Sequence, residues 1–104
     1  KDTVYKLPNQ KLPFMKFEFN LQQITATYRD EDFSCNILLS YDKSSYTFSI
    51  DYGIDKPIIG SITSDGTIKY KNFSENNTNI LTEQKDTLEN ILQKMTLYYD
   101  KAYT

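Results

Sequence analysis

Five carboxylates fall into two groups whose types and spacing could do chemistry. Asp30, Glu31 and Asp32 are consecutive, and Asp51 and Asp55 lie close together in a later segment. Grouped carboxylates can ligate a hard cation such as Ca²⁺ or act as an acid and base pair, as in glycoside hydrolysis. The spacing matches no calcium-loop pattern, and a chain of 104 residues leaves little room for a substrate cleft. Aspartate also favours turns, because its side chain accepts hydrogen bonds from nearby backbone amides. The expectation is therefore a solvated acidic turn, with no metal ligand and no catalytic residue.

Other chemistries lack their parts. There is no histidine, so the commonest general base at neutral pH and the commonest metal-binding imidazole are both missing. Cys35 is the only cysteine; it can form no internal disulfide, and it lies in an apolar row where a core thiol is expected. Neither G-x-x-x-x-G-K-[ST] nor G-x-G-x-x-G occurs, so no phosphate-cradling loop is predicted. No cofactor is implied, and the chain reads as a protein that is not an enzyme.

The elements that must position these residues are legible from period-2 alternation, which marks half-buried strands. Phe33, Cys35, Ile37, Leu39 and Tyr41 fill alternate positions of one run, and Tyr46, Phe48, Ile50, Tyr52 and Ile54 those of the next. Folding at Asp42-Lys43-Ser44-Ser45 pairs Tyr41 with Tyr46, Leu39 with Phe48, Ile37 with Ile50, Cys35 with Tyr52 and Phe33 with Ile54, all on one face. A preceding strand over 16–28 pairs Ala26 with Cys35 and Ile24 with Ile37. Its apolar parity flips between Phe19 and Ile24, which predicts a β-bulge at Gln22-Gln23. After Asp55-Lys56-Pro57, strands over 58–63 and 67–72 flank Ser64-Asp65-Gly66, with Ile62 opposite Ile68 and Gly60 opposite Tyr70. Leu81, Leu88, Met95 and Ala102 recur every seventh residue, with Ile91, Leu92, Tyr98 and Tyr99 beside them. That is the apolar face of a helix over 80–101, with Thr82 as its predicted N-cap.

The predicted fold is thus α+β: an antiparallel β-meander of about five strands with one long C-terminal helix packed on one face. It forms a single domain over 1–104, with an extended arm at 1–15, the sheet at 16–72, a polar loop at 72–79 and the helix at 80–101. Two Asn-x-Ser/Thr sequons, at Asn72 and Asn76, fall in that loop. No apolar run approaches the ~20 residues of a membrane span.

With catalysis set aside, binding remains. A net charge of −2 argues against nucleic acid, which favours a basic footprint. The sheet face away from the helix is rich in Ser and Thr and includes Asn36 and Leu38, which suits a protein partner or a second copy. The tail residues Tyr98, Tyr99 and Tyr103 form a second candidate surface, since Tyr is enriched at interfaces. An exposed edge strand is a third, open to pairing with a twin chain. The expected function is a small protein-binding module that occludes a macromolecular partner, in the manner of an immunity protein, an antitoxin-like neutraliser or a phage-encoded inhibitor. The acidic residues Asp30, Glu31, Asp32, Asp51 and Asp55 would face a basic surface on that partner. The alternative is a domain of a secreted or lipid-anchored structural or assembly protein. Richness in Lys, Asn and Ile suggests AT-rich coding, as in a low-GC bacterium, its phage, or an AT-rich eukaryote or virus. The chain starts at Lys1 without Met, which reads as processing or trimming and leaves both cytoplasmic and extracytoplasmic locations open.

Overall fold

Alternating apolar residues build one antiparallel sheet, seen here in a computed structural model that describes residues 11–42, 44–71 and 74–103. The strands are β1 (Phe14–Asn20), β2 (Gln23–Arg29), β3 (Ser34–Asp42), β4 (Ser45–Asp51), β5 (Ile58–Ile62) and β6 (Ile68–Tyr70), and helix α1 (Glu75–Tyr103) follows. The strands lie in sequence order, β1-β2-β3-β4-β5-β6, as a meander. The α+β class therefore stands, with six strands rather than about five. Most of the predicted arm, residues 1–10, lies outside the described residues.

The additional strand arises where a bulge was expected. Asn20 pairs with Gln23 and Phe17 with Ala26, so the segment over 16–28 is a hairpin rather than one bulged strand. Leu21 and Gln22 form its two-residue turn with φ of +33° and +65°. Two positive φ values in a row match the twist of a tight hairpin. The turn inverts the chain, and that inversion is the parity flip seen in the sequence. It escaped prediction because Leu-Gln carries none of the Asn or Gly usual at such φ.

The β2–β3 register differs from expectation by an even number of residues, so every side chain keeps its face. Ile24 pairs with Leu39, Ala26 with Ile37 and Tyr28 with Cys35, because the β2–β3 loop holds Phe33 out of the ladder. Tyr41/Tyr46, Leu39/Phe48 and Ile37/Ile50 pair as predicted, but the β3–β4 ladder stops at Asn36/Asp51. Tyr52 and Ile54 instead belong to a loop that sets Ile58 opposite Ile50 and Gly60 opposite Phe48. The β5–β6 pairs Ile62/Ile68 and Gly60/Tyr70 are as expected, and Gly66 has a φ of +92° in the turn between them.

The helix begins five residues earlier than the periodicity implied, at Glu75. Ser74, not Thr82, is its cap. The Asn77 backbone N–H donates to Ser74 Oγ at 3.1 Å, and the Ser74 N–H donates to Asn77 Oδ1 at 3.3 Å. This reciprocal pair is a capping box with Asn in the place of Glu. Thr82 instead donates its hydroxyl to the Thr78 carbonyl, and Thr78 does the same to Ser74. Back-bonding of this kind bends helices, and α1 breaks its helical angles at Gln84 (φ −118°, ψ 16°). Beyond the kink, Leu88, Ile91, Leu92, Met95 and Tyr99 are buried on the sheet with Ile24, Ile37, Leu39, Ile50 and Ile58. Each such side chain contributes ~1.5–3 kcal/mol of burial. No helix among the described residues is long and apolar enough to cross a membrane.

Candidate functional site

The meander brings the β2–β3 loop, the β4–β5 loop and the first turns of α1 to one end of the sheet. Between them lies a hollow of about 400 Å³, lined by Asp32, Phe33, Ser34, Tyr52, Ile54, Asn76, Asn79, Ile80 and Glu83. Its walls are mainly apolar, and two carboxylates stand on its lining.

Each loop is held by a carboxylate turned inward on its own backbone. Asp30 Oδ1 accepts the N–H groups of Asp32 (2.9 Å) and Phe33 (2.7 Å), and Oδ2 accepts the Tyr28 hydroxyl at 3.0 Å. The Asp32 amide, with help from Tyr28 and Phe33, holds the Asp30 carboxyl below the usual carboxylate range. Asp51 accepts the Gly53 N–H at 2.9 Å. Asp55 has a positive φ of +67°, a costly conformation for a residue with a Cβ. It accepts the Ser74 hydroxyl, and this bond, with the Lys56 amide, lowers its pKa.

Asn77 ties the ends together. It is fully buried, the one polar residue so placed among the described residues. Its Nδ2 donates to Tyr52 Oη at 2.6 Å and to the Lys56 carbonyl at 3.1 Å, while its Oδ1 accepts the N–H of the cap residue Ser74. The β4–β5 loop is thereby fixed to the helix start. Gly53 (φ +88°) and Asp55 bracket Ile54, which the loop holds 69% exposed at the rim of the hollow.

The predicted site residues divide accordingly. Asp30, Glu31, Asp32, Asp51 and Asp55 do share one end, though Asp30, Asp51 and Asp55 each commit an oxygen to their own loop. Asn36 and Leu38 lie on the outer sheet face, where Asn36 accepts the Thr27 hydroxyl at 3.1 Å and Leu38 is 37% exposed. Tyr98 and Tyr99 sit at the far end. Tyr99 is buried against Tyr41 and Tyr46, and Tyr98 packs edge-on to Phe17 at 5.0 Å. Tyr103 is the last helical residue; its side chain lies outside the described residues. The sequon at Asn76 opens the helix, whereas Asn72 is outside the described residues. Phe33, Ile54, Ile80 and Glu83 were not anticipated as site residues. The Ser74-x-x-Asn77 spacing was the available signal, since it moves the helix start to this end and Glu83 with it.

Burial pushes the Cys35 thiol up to about 12, which keeps it protonated and inert. Among the described residues no three His, Cys, Asp or Glu side chains gather as a metal site. No protein-family model matches the chain, and no curated protein and no solved structure matches it either.

Proposed function

We propose that this protein is a non-enzymatic binding module that seats its acidic loop end on a basic surface of a protein partner and occludes it, as an immunity protein, an antitoxin-like neutraliser or a phage-encoded inhibitor does. One observation carries the reading: the hollow in which Asp32 and Glu83 accompany Phe33, Ile54 and Ile80. An apolar wall with carboxylates beside it complements a Lys or Arg side chain, whose aliphatic stem packs while its head pairs. The Asn77 network supports the reading further, because loops held in place before contact lose less entropy on binding. The exposed acids would also steer a basic partner toward this end, an effect that weakens with salt.

The test is capture from source lysate by three tagged proteins: wild type, the Asp32→Lys/Glu83→Lys double variant and Ile54→Asp. A stoichiometric partner held by wild type, lost with both variants and inactivated in the complex supports the reading. A partner retained equally by all three refutes it. One observation favours the second reading, a structural or assembly domain of a secreted or lipid-anchored protein: among the described residues the seven-residue strand β1 is a sheet edge with exposed apolar side chains.

A further inference from the structure

Among the described residues β1 and β6 are the two edges of the sheet. The β6 edge is blunted, being three residues long with Lys69 exposed at its centre, and short charged edges resist pairing. The β1 edge is seven residues long, Phe14-Met15-Lys16-Phe17-Glu18-Phe19-Asn20.

The Leu21-Gln22 turn decides which backbone groups of β1 point outward. A two-residue turn is closed by a hydrogen bond between the residues that flank it, so Asn20 directs its polar groups at Gln23. Alternation along the strand turns Glu18, Lys16 and Phe14 toward β2 as well. The N–H and C=O groups of Met15, Phe17 and Phe19 then point away from the sheet. Their side chains share the inner face, where the helix covers them incompletely. Phe17 packs on Tyr98, but Met15 is 37% and Phe19 51% exposed. Lys16 and Glu18 share the outer face and form an ion pair of 3.2 Å along the strand.

This heptad is complementary to itself about Phe17. We propose that two copies of the chain pair antiparallel through β1, with Phe17 of one copy opposite Phe17 of the other, to make one continuous sheet. In this register Met15 of one copy meets Phe19 of the other, and these residues supply the hydrogen bonds that cross the junction. Lys16 meets Glu18 twice, once on each side of the two-fold axis. These are the non-hydrogen-bonded positions, where side chains come closest. Sliding the register by two residues sets Lys16 against Lys16 or Glu18 against Glu18, and sliding by one brings outward backbone groups against inward ones. The charge pattern therefore selects one register. A two-fold axis normal to the sheet leaves both helices on the same side, and the exposed Met15 and Phe19 of both copies form the floor between them. The contact is isologous, so it closes as a dimer. It lies outside the loop-end hollow and does not depend on the reading given for that end.

The experiment is sedimentation analysis of the full chain from micromolar to millimolar concentration. Wild type should pass from monomer to dimer. Lys16→Glu alone, or Glu18→Lys alone, sets like charges opposite each other and should weaken the dimer about tenfold or more. The double variant Lys16→Glu/Glu18→Lys restores opposite charges and should recover wild-type affinity to within about threefold. Met15→Pro removes an outward N–H without breaking the β1–β2 ladder; it should abolish the dimer while circular dichroism stays native. Asp32→Lys/Glu83→Lys should leave the dimer unchanged. A wild type that stays monomeric throughout, a double variant as weak as the singles, or a dimer indifferent to Met15→Pro would each overturn the proposal.

Discussion

Replacing Asn77 by Ala tests whether the loop end is held by one buried amide. The variant removes both Nδ2 donors and the Oδ1 acceptor from a fully buried position. Each hydrogen bond contributes ~0.5–1.5 kcal/mol net, but a buried partner left unpaired costs ~1–3 kcal/mol. The Lys56 carbonyl and the Ser74 amide lose their partner in this way, while the Tyr52 hydroxyl, nearer the hollow, can turn to water. The Ser74 cap itself stays, since the backbone N–H at position 77 still donates to Ser74 Oγ. The expected total is about 3 kcal/mol, a large share of the ~5–15 kcal/mol that holds a domain together. Urea denaturation reads it as a lower midpoint at constant slope. Asn77→Asp separates the two halves of the role, since it keeps the acceptor for the Ser74 N–H but sets an oxygen against the Lys56 carbonyl. Native hydrogen exchange of the 52–56 amides should speed up in both variants. A loss below about 1 kcal/mol for Asn77→Ala, outside the range for uncompensated burial, would refute the reasoning. So would an Asn77→Asp protein as stable as wild type.

Three other substitutions probe the frame. Leu21→Asn with Gln22→Gly places favoured residues at positive φ and should add about 1 kcal/mol in chemical denaturation; a loss would mean the turn is misplaced. Gly60→Ala puts a Cβ at 2.5 Å from Phe48 Cζ and against the Lys69 carbonyl, and should lower stability by about 2 kcal/mol, as overpacking does. A tolerated alanine would show that the Phe48 ring does not rest on the strand. Asp30 has a folded pKa below its usual value, so its contribution is complete above the unfolded pKa of about 4 and fades as pH falls through that value and below. Asp30→Asn should flatten the acid limb of the stability profile, and an unchanged limb would count against the carboxylate's role.

Alternation was enough to assign the faces of β2 to β6, because a strand has only two sides. It could not settle register where loops differ in length by even numbers. Ile24 finds Leu39 rather than Ile37, and the apolar face is the same either way. The Leu21-Gln22 turn was hidden because its residues are poor at the φ they adopt, so only the parity flip betrayed it. The helix start was hidden for a different reason. Asn76, Asn77, Thr78 and Asn79 read as loop by propensity, and the buried bonds of Asn77 override that preference. At the candidate site the acids were legible by type, but their division of labour was not. Asp30 and Asp55 are set apart by the backbone and hydroxyl donors that the fold places beside them. Glu83 joined the site through the earlier helix start, and Ile54 through a loop that left its ladder at Asp51.

The two proposed surfaces constrain each other through geometry. Phe14 pairs with Arg29, so β1 starts beside the acidic β2–β3 loop and runs away from it. Antiparallel pairing about Phe17 therefore points the two loop ends in opposite directions. A dimer of this kind cannot close both hollows on one site of a single partner molecule. It must carry a partner at each end, with equal numbers of the two chains. Partner binding and dimerisation then touch different residues and should be additive, as they are for well-separated sites. Once a partner is in hand, the mass of the complex at high concentration decides the matter. Two chains with two partners, reduced by Met15→Pro to one with one at unchanged affinity, is the expected result. A partner that binds only the monomer would place its footprint on β1, and the loop end would lose its claim to be the binding surface.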